Sequence, residues 1–240
     1  MSEKPKHTRP FLIAAGVAAF VVAGIGAESA QASGGGSAPV GGGSGMSGSS
    51  GRMTPEQQAA MHYNNGLKAQ EKADKLSREA AAATDPKARD KAQSKSQKSY
   101  ENARSDFQNA IKKDAEMYEA HGALGYVKRR LGDFNGSLES YDRALALKPG
   151  YTPAIEYRGE AYLGLGRIED AKTAYMTLFS ADRKRADELS AAMSKWVEAK
   201  QKDPAGVDTK AIEEFSGWLN QRMEIAKQTA ALLPAKDARW

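Results

Sequence analysis

The sequence contains no cysteine, and only three of its 240 residues are histidine. Without cysteine the chain has no disulfide framework, no thiol nucleophile and no soft metal ligand. His7 lies in the N-terminal segment, which leaves His62 and His121 for the rest of the chain. Neither has the convergent partners that metal binding or acid–base catalysis needs, so we expect both to pack as structural side chains.

The catalytic motifs of common enzyme families are also missing. The chain has no nucleophile elbow, no zinc-protease helix motif and no phosphate-binding loop. The glycine-rich stretch 34–51 lacks the flanking strand and helix that a nucleotide loop requires. These absences predict a protein that is not an enzyme and that needs no cofactor and no metal.

The N-terminus has the three parts of a secretory signal. Basic residues precede an uncharged apolar run at residues 11–27, and a small-x-small pattern follows at 30–32. This order predicts a signal peptide over residues 1–32 and therefore export to the periplasm or out of the cell. The run of 17 residues is at the short limit for crossing a bilayer. An uncleaved anchor in the inner membrane is therefore the alternative.

A flexible tether and a basic segment follow the signal. Residues 33–51 are mostly glycine and serine, and a chain of this kind spans roughly 25 Å on average. The formal net charge is +5, and it falls to +4 without residues 1–32, which hold three basic and two acidic groups. Residues 68–98 hold nine basic and five acidic groups, which is again +4. The excess positive charge therefore belongs to that one segment.

The second half of the chain repeats at a spacing of 34 residues. A shift of 34 places Gly125 on Gly159 and Tyr141 on Tyr175. Each unit carries two apolar stripes at helical spacing, with a glycine between them, and Pro149 closes the first full unit. The repeat predicts a series of helix–turn–helix units.

Each full unit has the order "LG", then an aromatic residue and an alanine, and the first full unit ends in proline. This pattern resembles the tetratricopeptide repeat. Residues 118–151 and 152–185 match as full units, and 52–117 match as a first unit with a 25-residue insertion. The resemblance implies an all-α solenoid of paired helices, in which the first helix of each pair lines a concave groove. Residues 186–240 carry two further apolar helical stripes, which predict capping helices with Trp196 and Trp218 as packing residues.

The insertion predicts an elongated first hairpin. "TPEQ" at residues 54–57 reads as a capping box, and "TDPKARD" at 84–90 supplies a second helix start. We therefore expect helices at about 54–83 and 86–114, each extended by roughly 18 Å beyond a normal repeat. The nine basic residues of this hairpin are Lys68, Lys72, Lys75, Arg78, Lys87, Arg89, Lys91, Lys95 and Lys98.

By the register of the repeats, seven residues are candidates for the groove wall: Tyr63, Leu67, Tyr126, Arg129, Arg130, Glu156 and Glu160. They would hold an extended peptide by hydrogen bonds and charge. The alternative is that the two arginines pair with the two glutamates across adjacent helices. Some members of the family grip a terminal carboxylate with lysine and asparagine. The resemblance implies that this clamp is absent here, because its places hold Tyr63, Leu67, Ala123, Pro153 and Tyr157.

The sequence thus predicts a non-catalytic adaptor or scaffold of the bacterial envelope that binds another protein or peptide. Two alternatives remain open. One is a self-associating structural protein, a homo-oligomer formed through the hairpin or the C-terminal helices. The other is an accessory subunit whose basic hairpin contacts an anionic wall polymer or a membrane surface. Nucleic acid is disfavoured as a partner, since residues 68–98 contain no aromatic side chain on which a base could stack.

Overall fold

The computed structural model describes residues 53–232, and in that range it contains helices and connecting turns but no strand. The predicted signal and tether lie outside the described residues. The helices are α1 (Pro55–Ala82), α2 (Pro86–Lys113), α3 (Tyr118–Arg130), α4 (Phe134–Leu147), α5 (Thr152–Gly164), α6 (Ile168–Ala181), α7 (Arg183–Lys202) and α8 (Thr209–Leu232).

The two long helices begin at the residues that the sequence indicates. The Thr54 side chain accepts from the Gln57 backbone N–H while the Gln57 side chain accepts from the Thr54 N–H, which completes a capping box. Asp85 caps α2 by accepting from the N–H groups of Lys87 and Ala88. The observed bounds of both helices lie within about one residue of the predicted ones.

The helices stack as antiparallel pairs in two layers. α1 packs on α2, α3 on α4, α5 on α6, and α7 on α8. The first helices of successive pairs also contact one another in the order α1, α3, α5, α7. These four helices form the inner layer of the stack. The predicted all-α solenoid is thereby confirmed.

Glycine permits the tight turn within two of the pairs. Gly132 and Gly166 have φ angles of +85° and +70°, a region that side chains with a Cβ rarely adopt. Gly125 serves a different purpose, because a Cβ there would lie 2.6 Å from the Tyr141 ring. The missing side chain lets α3 and α4 approach each other closely.

The first pair projects beyond its neighbour at one end. Gly66 faces the Phe107 ring as Gly125 faces the Tyr141 ring, so these contacts align the two pairs. Helix α1 continues for 16 residues after Gly66, whereas α3 continues for only 5 residues after Gly125. Likewise, α2 has 21 helical residues before Phe107, whereas α4 has 7 before Tyr141. The differences, 11 and 14, account for the 25 inserted residues. At about 1.5 Å per residue, the hairpin extends roughly 16–21 Å past the second pair.

Two hydrophobic clusters hold the stack together. One joins α5 to α8 through large side chains such as Tyr175, Met193 and Phe215. The other joins α1 to α5, where α1 contributes small side chains. Trp196 is buried and Trp218 stacks on Phe215 with ring centroids 5.9 Å apart, so both act as packing residues. Together these clusters give residues 53–232 a continuous series of buried hydrophobic side chains from α1 to α8.

None of the helices between residues 53 and 232 is both long and apolar enough to cross a membrane.

Candidate binding groove on the inner layer

A cleft opens on the inner layer where α1, α3 and α5 meet. All five residues at the places of the absent carboxylate clamp line it: Tyr63, Leu67, Ala123, Pro153 and Tyr157. The cleft has a volume of about 210 Å³. Pockets for small molecules and cofactors typically measure roughly 300–1,000 Å³, so this cleft suits one or two side chains better than a cofactor.

Aromatic side chains dominate the lining of the cleft, which also includes Glu119 and Arg185. Tyr126 on α3 and Tyr157 on α5 meet edge to face, with centroids 5.2 Å apart. Tyr63 on α1 packs against Phe107, and burial raises the pKa of its phenol to about 12. Leu67, one turn after Tyr63, is 38% exposed at the rim. Of the seven candidate residues, the structure thus brings Tyr63, Leu67 and Tyr126 to the cleft.

One polar atom of the cleft lacks a partner within the described residues. The side-chain oxygen of Gln70, which lies one turn after Leu67 on α1, is buried and accepts no hydrogen bond there. A buried acceptor without a donor carries a desolvation cost that a bound N–H group would relieve. Gln70 was missed by sequence reasoning, because neither its residue type nor its spacing marks it out.

Arg129 lies beneath the cleft and not on its wall. It donates to the Glu160 carboxylate at 2.6 Å, and both side chains are buried. Burial works against its charge, yet Glu160 and nearby tyrosine oxygens together raise the pKa of Arg129. The structure corrects the predicted place of both residues on the wall, because the opposite charge on the adjacent helix draws each side chain inward. This is the cross-helix pairing that the sequence left as the alternative.

Glu156 is buried as well and is held by the next inner helix. Arg185 on α7 donates to its carboxylate, and Arg185 also lies 3.6 Å from Glu188. Burial, followed by repulsion from Glu160, raises the pKa of Glu156 to about 8 despite the nearby guanidinium. Glu156 therefore takes part in the packing of α5 on α7 and is not free to bind a partner in the cleft.

Arg130 reaches back to the long hairpin. Its guanidinium donates to the Ser77 hydroxyl at 2.8 Å and lies 3.6 Å from the Asp74 carboxylate. The same carboxylate accepts from the hydroxyls of Tyr100 at 2.5 Å and Tyr126 at 2.7 Å. This network joins α1, α2 and α3, and it uses the charge that sequence reasoning assigned to the groove. Asp74 was missed because the segment was read only for its positive charge.

The two histidines have structural surroundings. His62 lies 3.7 Å from Asp106, and a ring nitrogen of His121 lies 3.0 Å from the Ala115 carbonyl oxygen. Burial lowers the pKa of His121. No group of three or more metal-binding side chains converges anywhere between residues 53 and 232.

The basic hairpin presents its charge to solvent. All nine of its basic residues are exposed, and none forms an ion pair with another described residue. Arg89 donates to the Ala83 carbonyl at 3.2 Å, which helps to close the turn between α1 and α2. The charges at this end of the molecule are therefore free, unlike those below the cleft.

Comparison with known proteins identifies the repeated segment. Two models of the tetratricopeptide repeat match, one over residues 94–152 and the other over residues 128–195. No curated protein is significantly similar to the chain.

Solved structures with a related shape are tetratricopeptide-repeat domains of low sequence identity. The domain of OM64 from Arabidopsis has a TM-score of 0.41 and 13% identity, with 57% of this chain and 98% of that chain covered. The first such domain of Spaghetti (RPAP3), bound to the HSP90 peptide SRMEEVD, has a TM-score of 0.36 and 20% identity. That comparison covers 66% of this chain and 95% of the other.

Proposed function

The chain belongs to the tetratricopeptide-repeat family, and from this premise we propose that it is a non-catalytic adaptor that binds an extended segment of another polypeptide. Stacked helical repeats form concave surfaces that such proteins use for binding. The observation that carries the proposal is the cleft between α1, α3 and α5. Aromatic side chains dominate its lining, and the buried side-chain oxygen of Gln70 accepts no hydrogen bond among the described residues.

The chemistry of the cleft defines the segment that it would take. An apolar side chain can enter between Leu67 and the aromatic floor, and the volume admits one such anchor. A backbone N–H of the ligand can donate to the Gln70 side-chain oxygen once that side chain turns toward the cleft, because the oxygen is buried in the unbound protein. Arg129 is paired below the surface and Arg185 is already bound to Glu156, which leaves Glu119 as the charged side chain on the cleft lining. The segment would therefore be recognised by an apolar anchor and its backbone, and not by a terminal carboxylate.

The proposed setting is the bacterial envelope. Support comes from the basic, apolar and small-residue order of residues 1–32 and from the glycine- and serine-rich residues 33–51. An exported adaptor of this design would present the repeats outside the cytoplasm, either free or held to the inner membrane.

Retention of a partner by matched variants tests the function. Residues 53–240 would be immobilised and exposed to an envelope extract, and the retained proteins would be identified by mass spectrometry. Leu67→Glu places a charge at the rim of the cleft, and Met176→Glu does the same on α6, outside the inner layer. The parent side chains are exposed to nearly the same degree, 38% for Leu67 and 40% for Met176.

We expect one polypeptide to be retained by the parent and by Met176→Glu, and to be lost with Leu67→Glu. Overlapping peptides of that polypeptide should then locate one short segment that competes for the cleft. If both variants retain the partner equally, the cleft is not the binding site. Recovery of the chain's own sequence alone would favour self-association over the adaptor function. Circular dichroism would confirm that both variants keep the helical content of the parent.

A further inference from the structure

The helix α1 presents different side chains on two opposite sides. One side of α1 faces α3 and the cleft, and it carries Gln70, Asp74 and Ser77. At about 100° per residue, Lys68, Lys72 and Lys75 lie roughly 150° around the helix from that side. All three lysines are exposed. On α1 the lysines therefore point away from the rest of the repeats.

The same arrangement occurs on α2. Tyr100 marks the side that faces α3, because its ring lies 5.1 Å from the Arg130 guanidinium and its hydroxyl joins the Asp74 network. Lys91, Lys95 and Lys98 are exposed and lie roughly 180° around the helix from Tyr100. The lysines of both helices thus fall on one surface of the hairpin. We call this surface the lysine face: Lys68, Lys72, Lys75, Lys91, Lys95 and Lys98.

The acidic residues of the segment do not neutralise the lysine face. Asp74 is held in the network on the opposite side, and Asp85 caps α2. By helical position, Asp90 lies off the lysine face, Glu79 lies on it, and Glu71 borders it beside Lys68 and Lys75. The face therefore carries six positive charges against at most two negative charges.

A polar outer surface at the end of a repeat array prevents further stacking, but a mixture of charges would serve that purpose equally well. The lysine face is instead mainly positive and consists of two parallel rows of lysine. Such a surface is complementary to a broad anionic partner. Lysine stems can lie along such a surface while their ammonium groups reach phosphate groups. The lack of any aromatic residue in 68–98 disfavours single-stranded nucleic acid.

We propose that the lysine face docks on an anionic lipid bilayer. The chain outside the structure supports this partner: an apolar run at 11–27 is joined to α1 by a tether at 33–51 whose reach is about 25 Å. A run inserted in a bilayer would hold the hairpin within reach of the lipid headgroups. Each lysine near an anionic membrane raises the binding constant several-fold, so six act together with appreciable strength. This inference does not depend on what the cleft binds.

Vesicle sedimentation tests the proposal without the apolar run. Residues 53–240, which contain both hydrophobic clusters, would be mixed with vesicles of phosphatidylcholine alone or of phosphatidylcholine with phosphatidylglycerol. We expect binding only to the anionic vesicles, and a strong decrease when salt shortens the screening length from about 10 Å at 0.1 M to about 3 Å at 1 M. Lys72→Glu combined with Lys95→Glu should lower the partition coefficient by about 30-fold or more.

The matched control reverses two exposed lysines elsewhere, Lys184 and Lys202, and so changes the net charge equally. It should bind anionic vesicles within about threefold of the parent, because its lysine face is intact. Equal losses in the two variants would overturn the proposal, since net charge alone would then explain the binding. Failure of the parent to bind anionic vesicles would overturn it too. So would binding to soluble polyphosphate without binding to vesicles, which would assign the face to a polymer.

Discussion

The inner layer and the first hairpin both carry many charged residues, but they use them in opposite ways. Below the cleft, Arg129 and Glu160 are both buried and form an ion pair, and the buried Glu156 accepts a hydrogen bond from the partly exposed Arg185. On the hairpin, the lysines are exposed and have no carboxylate partner among the described residues. The same residue types therefore serve packing in one region and create an electrostatic surface in the other.

The difference follows from what lies on the neighbouring helix. A charge that faces an opposite charge across two packed helices becomes desolvated with it, and removal of one partner then leaves the other buried and alone. A charge with no such neighbour stays in solvent, contributes little to folding, and adds to the field around the molecule. The variants below test this contrast, beginning with the largest expected effect.

Removal of the Arg129 charge should be the most destabilising single change. Arg129→Met leaves Glu160 buried without its partner, and such changes typically cost about 3–5 kcal/mol of unfolding free energy. Urea denaturation followed by circular dichroism would measure the loss. The double variant Arg129→Met, Glu160→Leu should recover most of it, because no unpaired charge remains.

The control for this prediction is the exposed pair Arg158 and Asp142. Its atoms are 2.7 Å apart, much as in the buried pair, but the side chains are 27% and 58% exposed. Arg158→Met should therefore cost less than about 1 kcal/mol. Similar losses in Arg129→Met and Arg158→Met would show that burial does not separate the two kinds of charge.

The Asp74 network should hold the long hairpin to the repeats. Asp74→Ala removes the acceptor of the Tyr100 and Tyr126 hydroxyls and the carboxylate beside Arg130, so we expect a loss of about 2 kcal/mol. Hydrogen exchange should become faster in α1 and α2 while α7 and α8 change little. Glu71→Ala, at an exposed position on the same helix, should leave exchange in α1 and α2 as in the parent.

Glu156 should make stability depend on pH. Its folded-state pKa of about 8 lies above the ordinary value of 4.5, so the folded protein holds this proton more tightly than the unfolded chain does. The protonated Glu156 therefore adds to the unfolding free energy. This stabilisation is fully present below about pH 4.5 and is lost as the pH rises towards 8. One pKa unit corresponds to about 1.4 kcal/mol, so the effect should exceed about 1 kcal/mol.

Glu156→Gln tests this dependence, because glutamine resembles the protonated acid and can still accept from Arg185. Unfolding free energy measured between about pH 5 and pH 8 should fall less in the variant than in the parent. Parallel curves for the two proteins would mean that Arg185 keeps the carboxylate charged in the fold.

The periodic features of the sequence were sufficient to predict the architecture. The 34-residue repeat, the helix starts within residues 54–57 and 84–90, and the 25-residue insertion each predicted an element that the structure contains. These features are local, since a cap or a turn depends on residues close in the sequence. They also fixed which helices face the groove, and hence the positions of Tyr63 and Leu67.

The role of each charge could not be predicted in the same way. Register places Arg129 and Arg130 on an inner helix, but whether each is free depends on partners 31 and 56 residues away, Glu160 and Asp74. The register of the repeats would allow several different carboxylates to pair with each arginine. Only the packing of the helices determines which carboxylate lies close enough to do so. The unsatisfied oxygen of Gln70 is likewise visible only when the surrounding atoms are in place.

Reversal of charge on the lysine face should have the smallest effect on stability. Lys72→Glu with Lys95→Glu breaks no ion pair among the described residues, so the unfolding free energy should change by less than about 0.5 kcal/mol. Any change in the unfolding free energy should be an increase, because the substitutions reduce the repulsion among the positive charges of the face. Denaturation of the parent in rising salt should show a small gain from screening, and the variant should show less. A loss above about 1 kcal/mol would mean that these lysines support the hairpin, and the contrast between paired and free charges would then fail at its exposed end.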